Sequence, residues 1–305
     1  MLGSDPTIAT LENHDSLLKP AIMLAALFNE PPNFYVFIGF SLFCGTSIFL
    51  WVSRLPKAPV LAPRPWGLNI SWVDFGLFLS TCFLGVLLAQ ICLSLIYKAL
   101  EPDEFAKAIL ATIGMQGAIL VSILILRNRY PKLFGESLSR PDGVRAINTI
   151  PFSISAFIKF LPLLWIVTLL ANIFLYKIGI NPEQQKLVEM MREAAQQRPI
   201  QFAGLAFGAI ILAPLAEETL FRGYIYRFLR AKSSQSNAAI FSSLLFALIH
   251  FNLTSFAPLF LLSLLLTWTY EKTGNLLTPI LFHAIFNAHT VGLILISPIL
   301  PEPNF

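Results

Sequence analysis

The chain has 305 residues, of which 56% are hydrophobic and 12% are charged, and its mean hydropathy is +0.70. An ordinary soluble domain has roughly 45–50% apolar and about 25% charged residues, so the composition predicts an all-α, polytopic membrane protein instead. The net charge of +4 comes from short basic loops between apolar stretches, which indicates membrane topology and excludes a nucleic-acid footprint.

The cysteines give no sign of a covalent framework. Cys44, Cys82 and Cys92 all fall inside apolar runs and lack a CxxC spacing. This pattern predicts neither disulfides nor a thiolate metal site.

The first half of the chain predicts a tail and four membrane spans. The tail, residues 1–32, contains an apolar run too short to cross a bilayer, which favours a helix lying on the membrane surface. The N-terminal transmembrane region, residues 33–180, holds predicted spans at 34–52, 71–100, 105–126 and 152–178. The loop after the third span is the most basic of the chain, so the positive-inside rule predicts that it is cytoplasmic.

The second half predicts a connector and four more spans. Residues 181–199 form an amphipathic helix, interpreted either as an interfacial connector or as a lid or partner-binding element. Its apolar face contains Leu187, Met190, Met191 and Ala194. The predicted catalytic region, 200–297, holds spans at 200–229, 238–250, 256–270 and 277–296, and residues 298–305 form a tail. The apolar runs thus predict about eight spans. Basic residues follow the odd-numbered spans, so the positive-inside rule predicts that these loops are cytoplasmic and that both termini are outside.

The stretch from Leu212 to Leu229 places two adjacent glutamates and an arginine in a segment otherwise suited to lipid. A charge at mid-bilayer costs roughly 2.5–3.5 kcal/mol, so these groups are expected to face a wet or protein-lined cavity. Glu218 and Arg222 have the i, i+4 spacing of a helical ion pair, whereas Glu217 projects in another direction. The sequence therefore predicts one paired and one unpaired carboxylate.

Pro214 lies just before these acids. It removes the amide that would bond the carbonyl of Ile210, so it predicts a kink that admits water to the site.

Two further predicted helices carry residue pairs at a four-residue spacing that include polar groups, Phe246 with His250 and His283 with Asn287. Each pair lies on one face of its helix. A lone histidine on an apolar face is usually a satisfied core residue, but this combination with paired glutamates favours a reactive site. It predicts a water activated by Glu217 as general base and positioned by His250. His283 and Asn287 would then donate hydrogen bonds to a developing oxyanion.

Helix depth sets a condition on this site. At 1.5 Å per residue, Glu217, His250 and His283 are predicted at different depths from the cytoplasmic surface. They can meet if the sixth span starts above the membrane surface and the eighth starts inside a cavity.

Three motifs occur in order: EETLFR at 217–222, FALIH at 246–250 and HAIFN at 283–287. They match the patterns EExxxR, FxxxH and HxxxN, so this part of the chain resembles the CPBP family. That family comprises the type II CAAX prenyl endopeptidases and their bacterial relatives, also called Abi proteins. The resemblance covers about residues 200–290, and the first four spans match only in being hydrophobic.

The resemblance implies an intramembrane endopeptidase that acts on a membrane-associated protein or peptide, in a bacterial plasma membrane, with its site open to the cytoplasm. By motif position, Glu217 is the base and His250 holds the water with it. The oxyanion donors are His283 and Asn287. The resemblance gives a structural role to Glu218, Arg222 and Phe246.

The sequence leaves metal dependence and the functional class open. The family is often described as metalloproteases, yet the chain lacks HExxH, and the candidate ligands for zinc or another divalent metal would be Glu217, His250 and His283. A non-catalytic binding or bacteriocin-immunity protein could keep the same motifs. A proton-coupled transporter would also bury carboxylates and histidines, but no internal repeat is visible in the sequence.

Overall fold

The structure, a computed structural model, describes residues 67–135, 137–139, 145–180 and 186–296, apart from the side chain of residue 146. Within these ranges all regular secondary structure is helical, which confirms the predicted all-α class. The helices are α1 (Trp72–Leu100), α2 (Glu104–Arg129), α3 (Pro131–Phe134), α4 (Ala146–Lys177), α5 (Lys186–Gln197), α6 (Pro199–Lys232), α7 (Gln235–Leu248), α8 (Leu253–Thr273) and α9 (Leu277–Ile296).

Six of these helices, α1, α2, α4, α6, α8 and α9, are long and apolar enough to cross a membrane. They coincide with six of the eight predicted spans. The first predicted span, 34–52, lies outside the described residues, as do both predicted tails and residues 181–185 of the connector.

The helix at the sixth predicted span is too short to cross a bilayer. It corresponds to α7, whose 14 residues extend about 21 Å, less than the roughly 30 Å of a hydrocarbon core. A turn after Leu248 ends the helix, and Phe251 adopts a left-handed conformation with φ +46°. Asn252 then caps α8 by accepting a hydrogen bond from the amide of Ser255 at 2.8 Å. The helix agrees with the predicted bounds 238–250 within a few residues, but the prediction that it spans the membrane is corrected to a short apolar helix.

The outer helices expose apolar side chains. In the most apolar 18-residue windows of α1 and α2, 11% and 22% of the residues are buried. Phe83 and Leu88 of α1 are 69% and 61% exposed. Apolar surfaces of this extent indicate contact with lipid, so the protein is an integral membrane protein.

The motif-bearing helices belong to two buried clusters. In the first, Phe157 of α4 packs with Leu262 of α8 and Phe282 of α9. In the second, Phe78 of α1 packs with residues of α6 and of α7, among them Tyr224 and Phe246. The polar motifs lie between these clusters, where helices rather than lipid surround them.

Helix α5 packs onto one end of the bundle through the apolar face predicted from the sequence. Met191 and Ala194 are buried against Phe105 of α2, Leu205 of α6 and Ile294 of α9. Because its apolar face is covered by the protein's own helices, α5 closes this end of the bundle.

The two ends of α2 are expected on opposite sides of the membrane, so cysteines near them should differ in their reaction with an impermeant reagent. The basic residues Arg127 and Arg129 end α2, whereas α5 contacts its beginning. With the three native cysteines replaced by serine, a cysteine at Gln196 should react with an impermeant maleimide in intact cells, and one at Lys132 should not. Both should react after permeabilisation. The reverse labelling in intact cells would contradict the charge-based topology.

Candidate functional site

The carboxylate of Glu218 lies at the centre of a buried polar cluster formed by α6, α8 and α9. Its Oε1 accepts hydrogen bonds from Arg222 Nη1 and from His283 Nδ1, each at 2.9 Å. Arg222 Nη2 also donates to the backbone and side-chain oxygens of Ser263, at 2.8 and 2.7 Å. The exposed fractions of Glu218, Arg222 and His283 are 0%, 1% and 4%. The ion pair expected from the i, i+4 spacing is thus present, and its contact with His283 joins α6 to α9.

The ring of Phe246 on α7 packs beside this cluster and is fully buried. The guanidinium carbon of Arg222 lies 5.0 Å from the ring centroid, a cation–π distance. The ring centroids of His250 and His283 lie 4.9 and 6.0 Å from that of Phe246. One aromatic ring therefore fixes the arginine and both histidines relative to each other.

The half-buried ring of His250 is oriented by its own backbone. Its Nδ1 lies 2.7 Å from the carbonyl oxygen of Phe246. Because a carbonyl oxygen accepts, we assign the hydrogen to Nδ1, which leaves a lone pair on Nε2. The carboxylate of Glu218 imposes the same assignment on His283. Each histidine then presents Nε2 as an acceptor when neutral, and His283 can donate from Nε2 only as an imidazolium.

Glu217 has a partner that the sequence reasoning missed. Gln116 on α2 donates from Nε2 to Glu217 Oε1 at 3.2 Å. Glu217 is half-buried, whereas Gln116 is 3% exposed. The unpaired carboxylate predicted at this position is therefore held by one neutral donor. A single glutamine within an otherwise apolar predicted span is the sequence signal that could have indicated this contact.

Asn287 on α9 is bound to the backbone of α6. Its Nδ2 donates to the carbonyl oxygen of Ala209 at 2.7 Å. An amide nitrogen carries two hydrogens, so this bond leaves one N–H of Asn287 for another acceptor.

A π-helical segment explains why that carbonyl is available. Within Gly208–Leu212 the bonding pattern shifts, and the amide of Ala213 bonds the carbonyl of Gly208. The next residue, Pro214, has no N–H. The expected distortion near Pro214 is present, but the carbonyl that takes a side-chain donor is that of Ala209 rather than Ile210.

The helix depths are reconciled by the start of α9. Thr278 and Pro279 in its first turn are buried, and Ser153 of α4 donates to the carbonyl of Thr278 at 3.0 Å. Because α9 begins inside the protein, His283 can reach Glu218 although it lies less than two turns from the helix start. His250 lies in the turn after α7 rather than on the predicted sixth helix, and its ring still contacts that of Phe246.

The predicted site residues thus fall into two groups. Direct contacts join Glu218, Arg222, His283, Phe246 and His250. Glu217 and Asn287 flank this cluster and are held by Gln116 and Ala209. His289, on another face of α9, packs against the rings of Phe157 and Trp165 and does not join.

The candidate metal ligands do not form a ligand set in this arrangement. Among the described residues, no three histidine, cysteine, aspartate or glutamate side chains converge as a metal site would require. Glu217, His250 and His283 each make separate contacts, and the Asn287 amide is a poor zinc ligand. We therefore derive no chemical step through a metal.

Residues 199–289 match the model of one protein family, described as type II CAAX prenyl endopeptidase Rce1-like. The match begins with α6 and ends within α9, so it contains all three motifs. No solved structure matches the chain.

Three curated relatives match a similar share of the chain. UPF0177 protein YxdF of Lactococcus lactis subsp. lactis (strain IL1403) is 35% identical over 98 residues, which are 32% of this chain and 52% of that protein. An uncharacterized 24.3 kDa protein of Escherichia coli is 40% identical over 89 residues, 28% of this chain and 40% of that protein. UPF0177 protein YbdI of the same Lactococcus strain is 38% identical over 79 residues, 26% and 42% of the two chains. The chain spans about half of these relatives or less. Over residues 199–289 it is similar to the Rce1-like type II CAAX prenyl endopeptidases, and this confirms the resemblance inferred from the three motifs.

Proposed function

We propose that this protein is an intramembrane endopeptidase that hydrolyses a peptide bond of a membrane-associated protein or peptide, with a water activated by Glu217. The observation that carries the proposal is the contrast between the adjacent glutamates. Glu218 is fully buried in an ion pair, whereas Glu217 is half-buried and held by a neutral amide. The half-buried carboxylate is the one that water can reach, as a general base requires.

The proposed reaction assigns one role to each of four motif residues. Its carboxylate takes a proton from water while the water oxygen bonds to the carbonyl carbon of the substrate. His250 Nε2 accepts the second water hydrogen and so orients the nucleophile. The free N–H of Asn287, with His283 as an imidazolium, stabilises the oxyanion. When the C–N bond breaks, Glu217 returns its proton to the leaving nitrogen.

The charge bias of the loops supports a site that faces the cytoplasm. Glu217 lies ten residues before Arg227, about 15 Å along α6, and the basic residues Arg230 and Lys232 end this helix. In a bacterium this membrane would be the plasma membrane. We propose that the substrate enters from the cytoplasmic side, because a site about 15 Å from Arg227 is reached from that side without crossing the whole bilayer.

The proposal is tested by comparing new N-termini in membranes. Mass spectrometry of cells that express the wild type or Glu217→Gln should find peptide ends that occur with the wild type alone. A synthetic peptide across such an end, added to purified protein in nanodiscs, should be cut at the same bond. Identical sets of N-termini with the two proteins, or an uncut peptide, would contradict the proposal.

Activity is expected to survive removal of metal. The dispersed contacts of Glu217, His250 and His283 favour a glutamate-activated water over a three-ligand zinc site. Cleavage of the identified peptide should be unchanged after exhaustive chelation, and elemental analysis should find well under one equivalent of zinc. A loss of turnover that added zinc reverses would show that the ligands converge in the active state.

A further inference from the structure

Gln116 is the polar side chain of α2 that reaches the site. Although α2 faces lipid along much of its length, Gln116 is 3% exposed. Its Nε2 donates to Glu217 Oε1 at 3.2 Å across 101 residues of sequence. Gln116 lies outside the segment 199–289 that matches the family. Its place beside Glu217 is therefore a property of this chain's own N-terminal helices.

A close helix contact brings Gln116 to this position. A Cβ atom at Gly204 of α6 would lie 2.8 Å from Ile109, and one at Gly208 would lie 2.9 Å from Thr112. The two glycines, four residues apart, thus form a groove in α6 that admits side chains of α2. Ile109, Thr112 and Gln116 follow one face of α2 at helical spacing. The groove therefore sets the distance at which Gln116 meets Glu217.

The orientation of the Gln116 amide is imposed by Glu217. A carboxylate accepts hydrogen bonds, so the amide nitrogen must face it and the amide oxygen must point away. That oxygen, Oε1, is buried and has no hydrogen-bond partner among the described residues. Leaving this buried acceptor unpaired is destabilising, and the hydrogen bond to Glu217 offsets that cost. Binding to Glu217 therefore determines how this residue is placed.

We propose that Gln116 is a positioning residue that holds the carboxylate of Glu217 for proton transfer. Its N–H donor fixes one carboxylate oxygen and leaves the other directed to the nucleophile. Its Oε1 is left for an N–H or O–H donor that enters with the water or the peptide. This inference rests on the proposed function, since it assigns Gln116 a role through Glu217.

The test uses full-length protein in nanodiscs and the peptide identified from wild-type membranes. Gln116→Met keeps the length of the side chain and removes the donor, and Gln116→Asn keeps the amide but cannot reach Glu217. Each should lower kcat by about 10–100-fold with little change in KM, because the base is misplaced while peptide binding persists. Ser122→Ala, another buried polar site of α2, should leave both constants unchanged. Adding Gln116→Met to Glu217→Gln should cause no further loss.

The outcomes separate this inference from the proposed function. A wild-type protein that cuts no peptide contradicts the proposed function itself. If the wild type cuts, Glu217→Gln does not, and either Gln116 variant keeps wild-type kcat, the role of Gln116 is wrong and that of Glu217 stands. If Gln116→Met does not fold, the kcat and KM of Gln116→Asn test the positioning role. A loss confined to KM would also overturn the positioning role.

Discussion

Glu217→Gln is expected to lower kcat by about 10²–10⁴-fold, the range that a general base contributes, and to leave the unfolding midpoint unchanged. The substituted amide can still accept the hydrogen bond from Gln116, and it fits the same half-buried position. It cannot take a proton from water at neutral pH. The change therefore removes the chemistry without removing a contact that holds the helices together. Cleavage kinetics in nanodiscs and thermal unfolding in detergent measure the two effects.

A matched control isolates the chemistry. Glu193→Gln makes the same substitution on the exposed face of α5 and should change neither quantity. If Glu217→Gln keeps wild-type kcat, Glu217 is not the base. If it lowers the unfolding midpoint as much as a change at Glu218 does, the division between a reactive and a structural glutamate is wrong.

The helices were predictable because hydropathy and helix signals act locally. The second, third, seventh and eighth predicted spans agree with α1, α2, α8 and α9 within a few residues. The length of α7 was predicted within a few residues, but its last residue was not, because the apolar run continues through Ile249 and Phe251. What ends the helix is a turn with a left-handed residue, which composition alone does not reveal.

The contacts within the site were predictable where both partners lie on one helix. The spacing of Glu218 and Arg222 was sufficient, because i and i+4 side chains meet on any helix. The hydrogen bond that Glu218 accepts from His283 depends on how far inside the protein α9 begins, and no local sequence pattern encodes that depth. The same holds for Gln116, whose partner lies on a helix that two glycines bring close.

The π-helical segments show the same limit on a smaller scale. Pro214 signals that hydrogen bonds are lost in α6, but the identity of the free carbonyl depends on the bonding pattern of the preceding turn. A second π-helical segment, Thr219–Tyr226, follows directly after the glutamates. Such segments occur frequently at functional sites, since they change the direction in which side chains project. Arg222 lies within this second segment and still pairs with Glu218.

The largest effect on stability is expected from breaking the pair of Glu218 and Arg222. Glu218→Gln or Arg222→Met alone should lower the free energy of unfolding by about 3–5 kcal/mol, because each leaves one buried charge without its partner. The double variant Glu218→Gln with Arg222→Met should recover most of this loss. It removes both charges, and the amide oxygen introduced by Glu218→Gln can still accept the hydrogen bond from His283 Nδ1.

Unfolding in detergent for the two single variants and the double variant measures this coupling. The exposed pair of Glu104 and Lys107 provides the control, and Glu104→Gln should leave the unfolding midpoint unchanged, because solvent screens that pair. A double variant whose loss equals the sum of the two single losses would contradict the expected coupling. Such additivity would mean that the two buried charges do not stabilise each other. The loss in free energy of unfolding of each single variant would then come from other contacts, such as those of Arg222 with Ser263.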